Sequence, residues 1–273
     1  MDQLNYLRIA GYKIAFEEVK ADKPIARIIM VHGLGEHCWR YSHVVKYFIQ
    51  NGVSVIRFDL PGHGLSSGKR GHIKSYKDVL APIHHFVNQP QDLPTFIFGH
   101  SMGGNIVLGY LLLRQPQING AIIASPWVAL SFKPGFIKTV LAKIANRVLP
   151  SLIKKNDLSV YALSRDNEVV EAYEDDDLVH DWISPRLFVE MSKMATLIQL
   201  KARDINANTF LYHGKDDQIT AHWATKLISE KMPNARFISY ESGYHEMHNE
   251  PNKKEVFDNI LSYIQERIKP EMA

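Results

Sequence analysis

FIFGHSMGGNIVLGYLLL, residues 96–113, is the stretch whose reading decides the rest of the chain. Through Phe98 it has the β-branched and aromatic character of a strand, and from Asn105 onward an apolar run of helical character. Between the two stand Gly99, Gly103 and Gly104, placed around Ser101. Glycine is needed where the backbone takes a positive φ or where two backbone segments nearly touch. A serine at the tip of a tight strand-to-helix turn is strained, and its Oγ projects above the sheet edge. The positive end of the helix then lies beneath it. That exposes a nucleophile. A phosphate loop has similar punctuation but ends in G-K-[ST], which Gly104-Asn105-Ile106 does not supply. The five residues of G-x-S-x-G are weak alone, so the rest of the chain has to provide a base, an acid and an oxyanion hole.

The flanking sequence predicts strands over 12–19, 25–31, 53–59, 95–99 and 120–125, with helices over 41–52, 76–89 and 102–114. The segment 60–71 is a turn-rich loop. Strands alternating with helices indicate an α/β fold, a mainly parallel sheet with helices on both faces. From Pro126 to about Arg203 no core strand is evident, and the rhythm resumes with strands 208–214 and 235–240 and helices 221–232 and 253–268. The excursion is too long for a loop and has helical patterns of its own at 133–149 and 186–200. The expected organisation is a core from 1–125 and 204–273 with a helical lid, 126–203, inserted into it.

A chain of 273 residues suits one large domain with such an insertion. A formal charge of +3 is too small to imply a nucleic-acid partner. The single cysteine, Cys38, excludes an internal disulfide and fits a reducing compartment. The N-terminus MDQLNYLRIAGYKIAF lacks a basic segment followed by an apolar core, so no signal peptide is expected. No apolar stretch approaches the ~18 residues of a membrane span. The expected location is cytoplasmic, peripheral at membranes if the lid touches them. The lid sequence 132–155 offers that contact: Phe136, Ile137, Val140, Leu141, Ile144 and Val148 recur at helical spacing. Lys138, Lys143 and Arg147 interleave with them, and Lys154-Lys155 follow.

A serine hydroxyl needs a base, and the base needs an acid to hold its tautomer. Downstream of Ser101, HGKDDQIT (213–220) places Asp216 and Asp217 just after a strand, and SGYHEMHNEP (242–251) places His245 and His248 after the last one. Both loops belong at the carboxyl edge of the sheet, beside Ser101. VHGLGEH (31–37) follows another strand and lets backbone amides approach a substrate oxygen, with Leu34 and Met102 as the expected oxyanion donors.

The chain resembles monoacylglycerol lipases and lysophospholipases of the α/β-hydrolase superfamily. The resemblance rests on HGLGEHCWRY, DLPGHGLSSGKRG, GHSMGG, SPWVAL, HGKDDQIT and GYHEMHNEP, in family order along nearly the whole chain. It implies Ser101 as nucleophile, His245 as base and Asp217, the aspartate of G-x-x-D, as acid. It also implies a polar pocket end made by Glu36, Arg40 and His248 for a glycerol-like head group. The expected reaction is hydrolysis of the carboxylic ester of a single-chain lipid, monoacylglycerol first, with no cofactor or metal. Lysophospholipid, simple esters, thioesters and peptides with a free amine are alternative substrates, and a non-catalytic receptor is a remote one. His32 and His63 read as structural, His84-His85 as surface histidines, Glu174 to Asp177 as a solvated loop, and Cys38 as a small packing residue open to thiol reagents.

Overall fold

A computed structural model describes residues 4–132 and 135–268, with backbone alone for 136–138. The side chains of Phe136, Ile137 and Lys138 therefore lie outside the described residues. Eight strands form one sheet in the order β1 (Asn5–Ile9), β2 (Tyr12–Val19), β4 (Val53–Phe58), β3 (Ala26–Val31), β5 (Thr95–His100), β6 (Gly120–Ala124), β9 (Thr209–Gly214) and β10 (Ala235–Tyr240). A separate antiparallel pair, β7 (Lys154–Lys155) and β8 (Trp182–Ile183), lies outside it. β2 is antiparallel to both β1 and β4, and all other neighbours in the large sheet are parallel.

The dense apolar runs form strands because both faces of the sheet are covered. Ile28 and Met30 point into a cluster with α1 (Ser42–Gln50) and α8 (Lys253–Ile268). Ile29 and Val31 point the other way, toward α2 (Tyr76–Val87), α3 (Met102–Arg114), α6 (Pro185–Lys201) and α7 (His222–Lys231). Each such buried side chain is worth about 2 kcal/mol. α3 has no polar face because the sheet covers one side and α2 and α6 the other, so every residue from Met102 to Leu112 is buried. The sequence places the first strand at 12–19. The structure adds β1, paired through a turn whose residues Ala10 and Gly11 both have positive φ, 51° and 82°.

Between β6 and β9 run α4 (Phe136–Val148), the β7–β8 pair, α5 (Asn167–Glu174) and α6. α6 is rooted in the core, with Leu187, Met191 and Ile198 in the same cluster as α2 and α3. Buried Asn105 of α3 donates to the Trp127 carbonyl at 2.7 Å and the Met191 carbonyl at 3.3 Å, tying both ends of the excursion to one helix. Because β3, β5, β9 and β10 all run the same way, the loops that follow them emerge at one edge of the sheet.

Candidate active site

Ser101 caps α3 with φ 54° and ψ −115°, a conformation that is costly for a residue with a side chain. Its surroundings enforce it. The Ser101 amide donates to the Ala124 carbonyl at 3.0 Å, and its own carbonyl accepts from Trp127 N at 2.9 Å. The flanking glycines have steric causes. A Cβ at Gly103 would lie 2.2 Å from the Val31 carbonyl oxygen, and one at Gly99 would lie 2.5 Å from that of Gly103. The helix start is thus pressed against the end of β3, where the loop carrying Leu34 begins. A Cβ on Gly33 of that loop would come 3.2 Å from Ser101 Cβ, so the loop backbone runs beside the serine. Met102 is the first residue of α3, and its amide has no carbonyl within the helix to bond.

Asp217 and His245 meet. His245 Nδ1 donates to Asp217 Oδ2 at 2.7 Å, and the other carboxylate oxygen, Oδ1, accepts from the amides of Ile219 at 2.7 Å and Thr220 at 3.0 Å. Both side chains are buried, whereas the neighbouring Asp216 is exposed. Burial alone would raise the Asp217 pKa, but His245 and His213 outweigh it and hold the carboxyl well below the usual carboxylate range. Burial would likewise lower the His245 pKa, and the Asp217 charge reverses this, so the imidazole is shifted upward. Ser101 and His245 line the same small pocket.

Of the three residues assigned to the polar end, Glu36 lines that pocket, while Arg40 and His248 sit behind it. Arg40 is enclosed between two carboxylates. Its Nη1 donates at 2.7 Å to Glu36 Oε2 and at 2.7 Å to Glu246 Oε1, and Nη2 donates at 2.8 Å to Glu246 Oε2. The Tyr173 ring covers the guanidinium at 4.6 Å. Glu36 Oε1 also accepts from Gly33 N at 2.6 Å and Tyr41 Oη at 2.8 Å, so it fixes the loop beside Ser101. His248 is stacked on Tyr41 at 4.8 Å and lies edge-on to His100 at 4.8 Å. Burial pushes its pKa down to about 3, which leaves it neutral. Glu246, adjacent to His245, is a lining residue that the sequence reading passed over. Burial alone would raise its pKa; Arg40 outweighs this and keeps it ionised.

Two cavities meet at Ser101 and Leu34. The smaller, about 70 Å³, carries Glu36, Glu246, Tyr173 and Asp181. The larger, about 750 Å³, is walled mainly by apolar side chains, among them Trp127, Leu130, Leu141, Ala145, Leu158 and Phe188. That size and character suit a drug-sized or lipid-like ligand.

The remaining candidates resolve by their partners. His32 Nδ1 lies 2.8 Å from the Gly33 carbonyl and its Nε2 accepts from Leu60 N at 2.9 Å, so both nitrogens are engaged. His63 Nδ1 donates to the Pro61 carbonyl at 3.0 Å. His84 meets Tyr110 Oη at 3.2 Å, and no metal-binding cluster of histidine, cysteine and carboxylate side chains occurs among the described residues. The acidic run is not wholly solvated: Asp176 pairs with His37 at 2.7 Å. The Cys38 thiol is buried, and burial and Asp59 push its pKa well up, so it is a poor target for thiol reagents.

Residues 22–252 match the family described as serine aminopeptidase, S33. An uncharacterised abhydrolase domain-containing protein of Dictyostelium discoideum is 36% identical over 90% of this chain, which spans only 27% of that protein. Phospholipase YtpA of Bacillus subtilis is 29% identical over 91% of this chain and 98% of its own. The crystal structure of the monoacylglycerol lipase of Paleococcus ferrophilus matches with a TM-score of 0.87 at 30% identity, covering 96% of this chain and 100% of that one. With a mostly parallel sheet, a strained serine at its edge and these likenesses, the chain belongs to the serine aminopeptidase S33 family of α/β-hydrolases.

Proposed function

We propose that the protein hydrolyses the carboxylic ester of a single-chain lipid, with monoacylglycerol as the favoured substrate. The observation that carries this reading is the 2.7 Å bond to Asp217 from His245, which lines the same pocket as Ser101. In the reaction, Ser101 Oγ attacks the ester carbon and its proton passes to His245 Nε2. The amides of Leu34 and Met102 hold the oxyanion, each worth roughly 3 kcal/mol in the transition state. The C–O bond then breaks, and the alcohol leaves with the proton from His245. Water, deprotonated by His245, attacks the acyl-enzyme; collapse returns the proton to Ser101 and releases the acid. No step calls on a cofactor.

The larger cavity would take the acyl chain and the smaller one the alcohol. Three carboxylates, Glu36, Glu246 and Asp181, line the smaller pocket, the nearby Arg40 is screened by Tyr173, and no lysine or arginine lines it among the described residues. That favours hydroxyl groups over phosphate. Similarity to a phospholipase favours a second reading, lysophospholipid hydrolysis, against which this charge pattern counts. A free amine, as an aminopeptidase requires, would find Glu36 and Glu246 already engaged by Arg40 and Asp181 by Lys155.

Residues 126–203 would act as the lid. On α4 and just after it, Leu141, Ile144, Val148, Leu149 and Leu152 are each 56–69% exposed, among the exposed cations Lys143, Arg147, Lys154 and Lys155. An apolar patch rimmed by cations suits an anionic lipid surface. No helix among the described residues is long and apolar enough to cross a membrane.

The test compares initial rates on monoacylglycerol, lysophosphatidylcholine and p-nitrophenyl esters of increasing length. Wild type should prefer monoacylglycerol, and Ser101→Ala should lose several orders of magnitude in kcat on every substrate. Ester turnover by Ser101→Ala near the wild-type rate would overturn the reading.

A further inference from the structure

HGKDDQIT contains a second imidazole whose position the reaction above does not use. His213, the penultimate residue of β9, is completely buried, with a relative exposure of 0%. Its Nε2 lies 2.9 Å from Asp217 Oδ2, the same oxygen that accepts from His245 at 2.7 Å. Its Nδ1 lies 2.8 Å from Thr225 Oγ1 on α7. Thr220 Oγ1 stands between, 2.9 Å from Asp217 Oδ2 and 3.0 Å from the Ser125 carbonyl.

Hydrogen counting selects one arrangement. A hydroxyl has one proton, and the buried Ser125 carbonyl needs a donor, which Thr220 provides. Asp217 Oδ2 is then left with two N–H donors, one for each in-plane lone pair: His245 Nδ1 and His213 Nε2. With its proton on Nε2, neutral His213 must accept at Nδ1, and the Thr225 hydroxyl donates there. Both nitrogens of His213 and both oxygens of Asp217 then have partners, and no added charge is needed.

We infer that His213 is a positioning residue for the acid of the triad: donating from rigid β9 and locked in tautomer by Thr225, it fixes the Asp217 carboxylate in the plane that aims Oδ2 at His245. The inference rests on the reading of Asp217 as that acid. The reason such a bond is needed lies in the loop. Asp217 sits beyond the end of β9, and its Oδ1 is held only by amides of its own turn. Those two bonds leave the carboxylate plane to be set by its Oδ2 partners. One of them, His245, is a group that moves protons during turnover and is a poor anchor. His213 and Thr225 supply an anchor from a strand and a helix.

The test uses purified His213→Ala, His213→Gln and Thr225→Val enzymes on a soluble p-nitrophenyl ester, with circular dichroism and thermal melts as folding controls. The Gln amide nitrogen can occupy the place of the ring Nε2. His213→Ala should lower kcat at least tenfold with KM within about twofold, and shift the acid limb of the pH–rate profile upward. Asp217 then accepts one bond fewer and keeps more negative charge opposite His245, which favours the imidazolium. His213→Gln should return kcat to within about threefold and restore the limb. Thr225→Val keeps the shape of the side chain and removes the donor to Nδ1, so it should lower kcat in the same direction, which keeps the test decisive if His213→Ala fails to fold. In an Asp217→Asn background, His213→Ala should cost little more. Unchanged kcat and acid limb in folded His213→Ala or Thr225→Val, or full additivity with Asp217→Asn, would overturn the inference. A Ser101→Ala enzyme that stayed active would instead overturn the reading beneath it.

Discussion

Replacing Asp217 by asparagine changes one atom, and the structure says which way the amide must turn. The Oδ1 site receives the amides of Ile219 and Thr220, so only the amide oxygen can sit there. The NH2 group is forced to the Oδ2 site, 2.7 Å from His245 Nδ1 and 2.9 Å from His213 Nε2. Two donors then face each other. His245 can relieve the clash by moving its proton to Nε2, the tautomer that cannot accept from Ser101. A triad held in the wrong tautomer loses about 10³–10⁴ in kcat, or roughly 4–5.5 kcal/mol at 1.36 kcal/mol per decade. Asp216 is exposed, and Asp216→Asn should stay within about twofold of wild type. Steady-state hydrolysis of a soluble ester near pH 8, with matched melting curves, measures both. A loss of less than tenfold for Asp217→Asn, or an equal loss for Asp216→Asn, refutes the reasoning.

Gly103→Ala should cost about 3 kcal/mol, because the new methyl meets the carbonyls of Val31 and His32 at 2.2 and 2.5 Å. A melting temperature lowered by roughly 6–12 °C is expected, and an unchanged one contradicts the close approach. His180 supplies a pH dependence. Its Nε2 bonds the Gly62 carbonyl, its Nδ1 accepts from Trp182 N, and burial lowers its pKa to about 4. The unfolded chain binds this proton from about pH 6.5. The stability that neutral His180 provides is therefore complete above pH 6.5 and is lost as pH falls toward 4. Melting temperature should fall over that window and fall less in His180→Asn; parallel curves count against it. Changing Lys143 and Arg147 to Glu should weaken binding to anionic vesicles at least tenfold, at about 1 kcal/mol per basic residue, and spare hydrolysis of a soluble short ester. Wild-type protein that fails to sediment with such vesicles at low salt excludes the interfacial role.

The sheet was legible because its strands are continuous apolar runs between turn residues, a pattern that burial on both faces imposes. β1 escaped because it is a short edge strand with partly exposed side chains, so neither density nor strict alternation marks it. The elbow was legible because Gly99 and Gly103 answer to steric contacts that no other residue can satisfy. Spacing could not separate Asp217 from Asp216, since burial and bonding partners distinguish them. Arg40 and His248 read as pocket residues through the family resemblance, which sets them at the polar end. Their partners cannot be read there, since Glu246, which encloses Arg40, lies 206 positions away. One signal was available: Glu36 and Arg40 stand four positions apart and Glu246 adjoins His245, which suggests a buried ion group. His213 was hidden by its position inside the motif that supplied Asp217.

The contacts of residues 126–203 with the loop after β3 bear on how a substrate reaches Ser101. His180 N donates to the Gly35 carbonyl at 2.8 Å, His37 pairs with Asp176 at 2.7 Å, and Tyr173 stacks on Arg40 at 4.6 Å. These contacts brace the backbone that carries Leu34. Lifting the whole segment as one body would break all three, at about 4 kcal/mol together, before counting the Asn105 bonds to Trp127 and Met191. α4 is different. Its residues Leu141, Ile144 and Val148 are more than half exposed, so displacing that part of the helix forfeits little burial. Magnitude therefore favours movement of α4 alone, which opens the apolar cavity that Leu141 and Ala145 help to wall. On the proposed function, the α5–β8 side would stay in place, and the loop carrying Leu34 would keep its position beside Ser101 as an acyl chain entered.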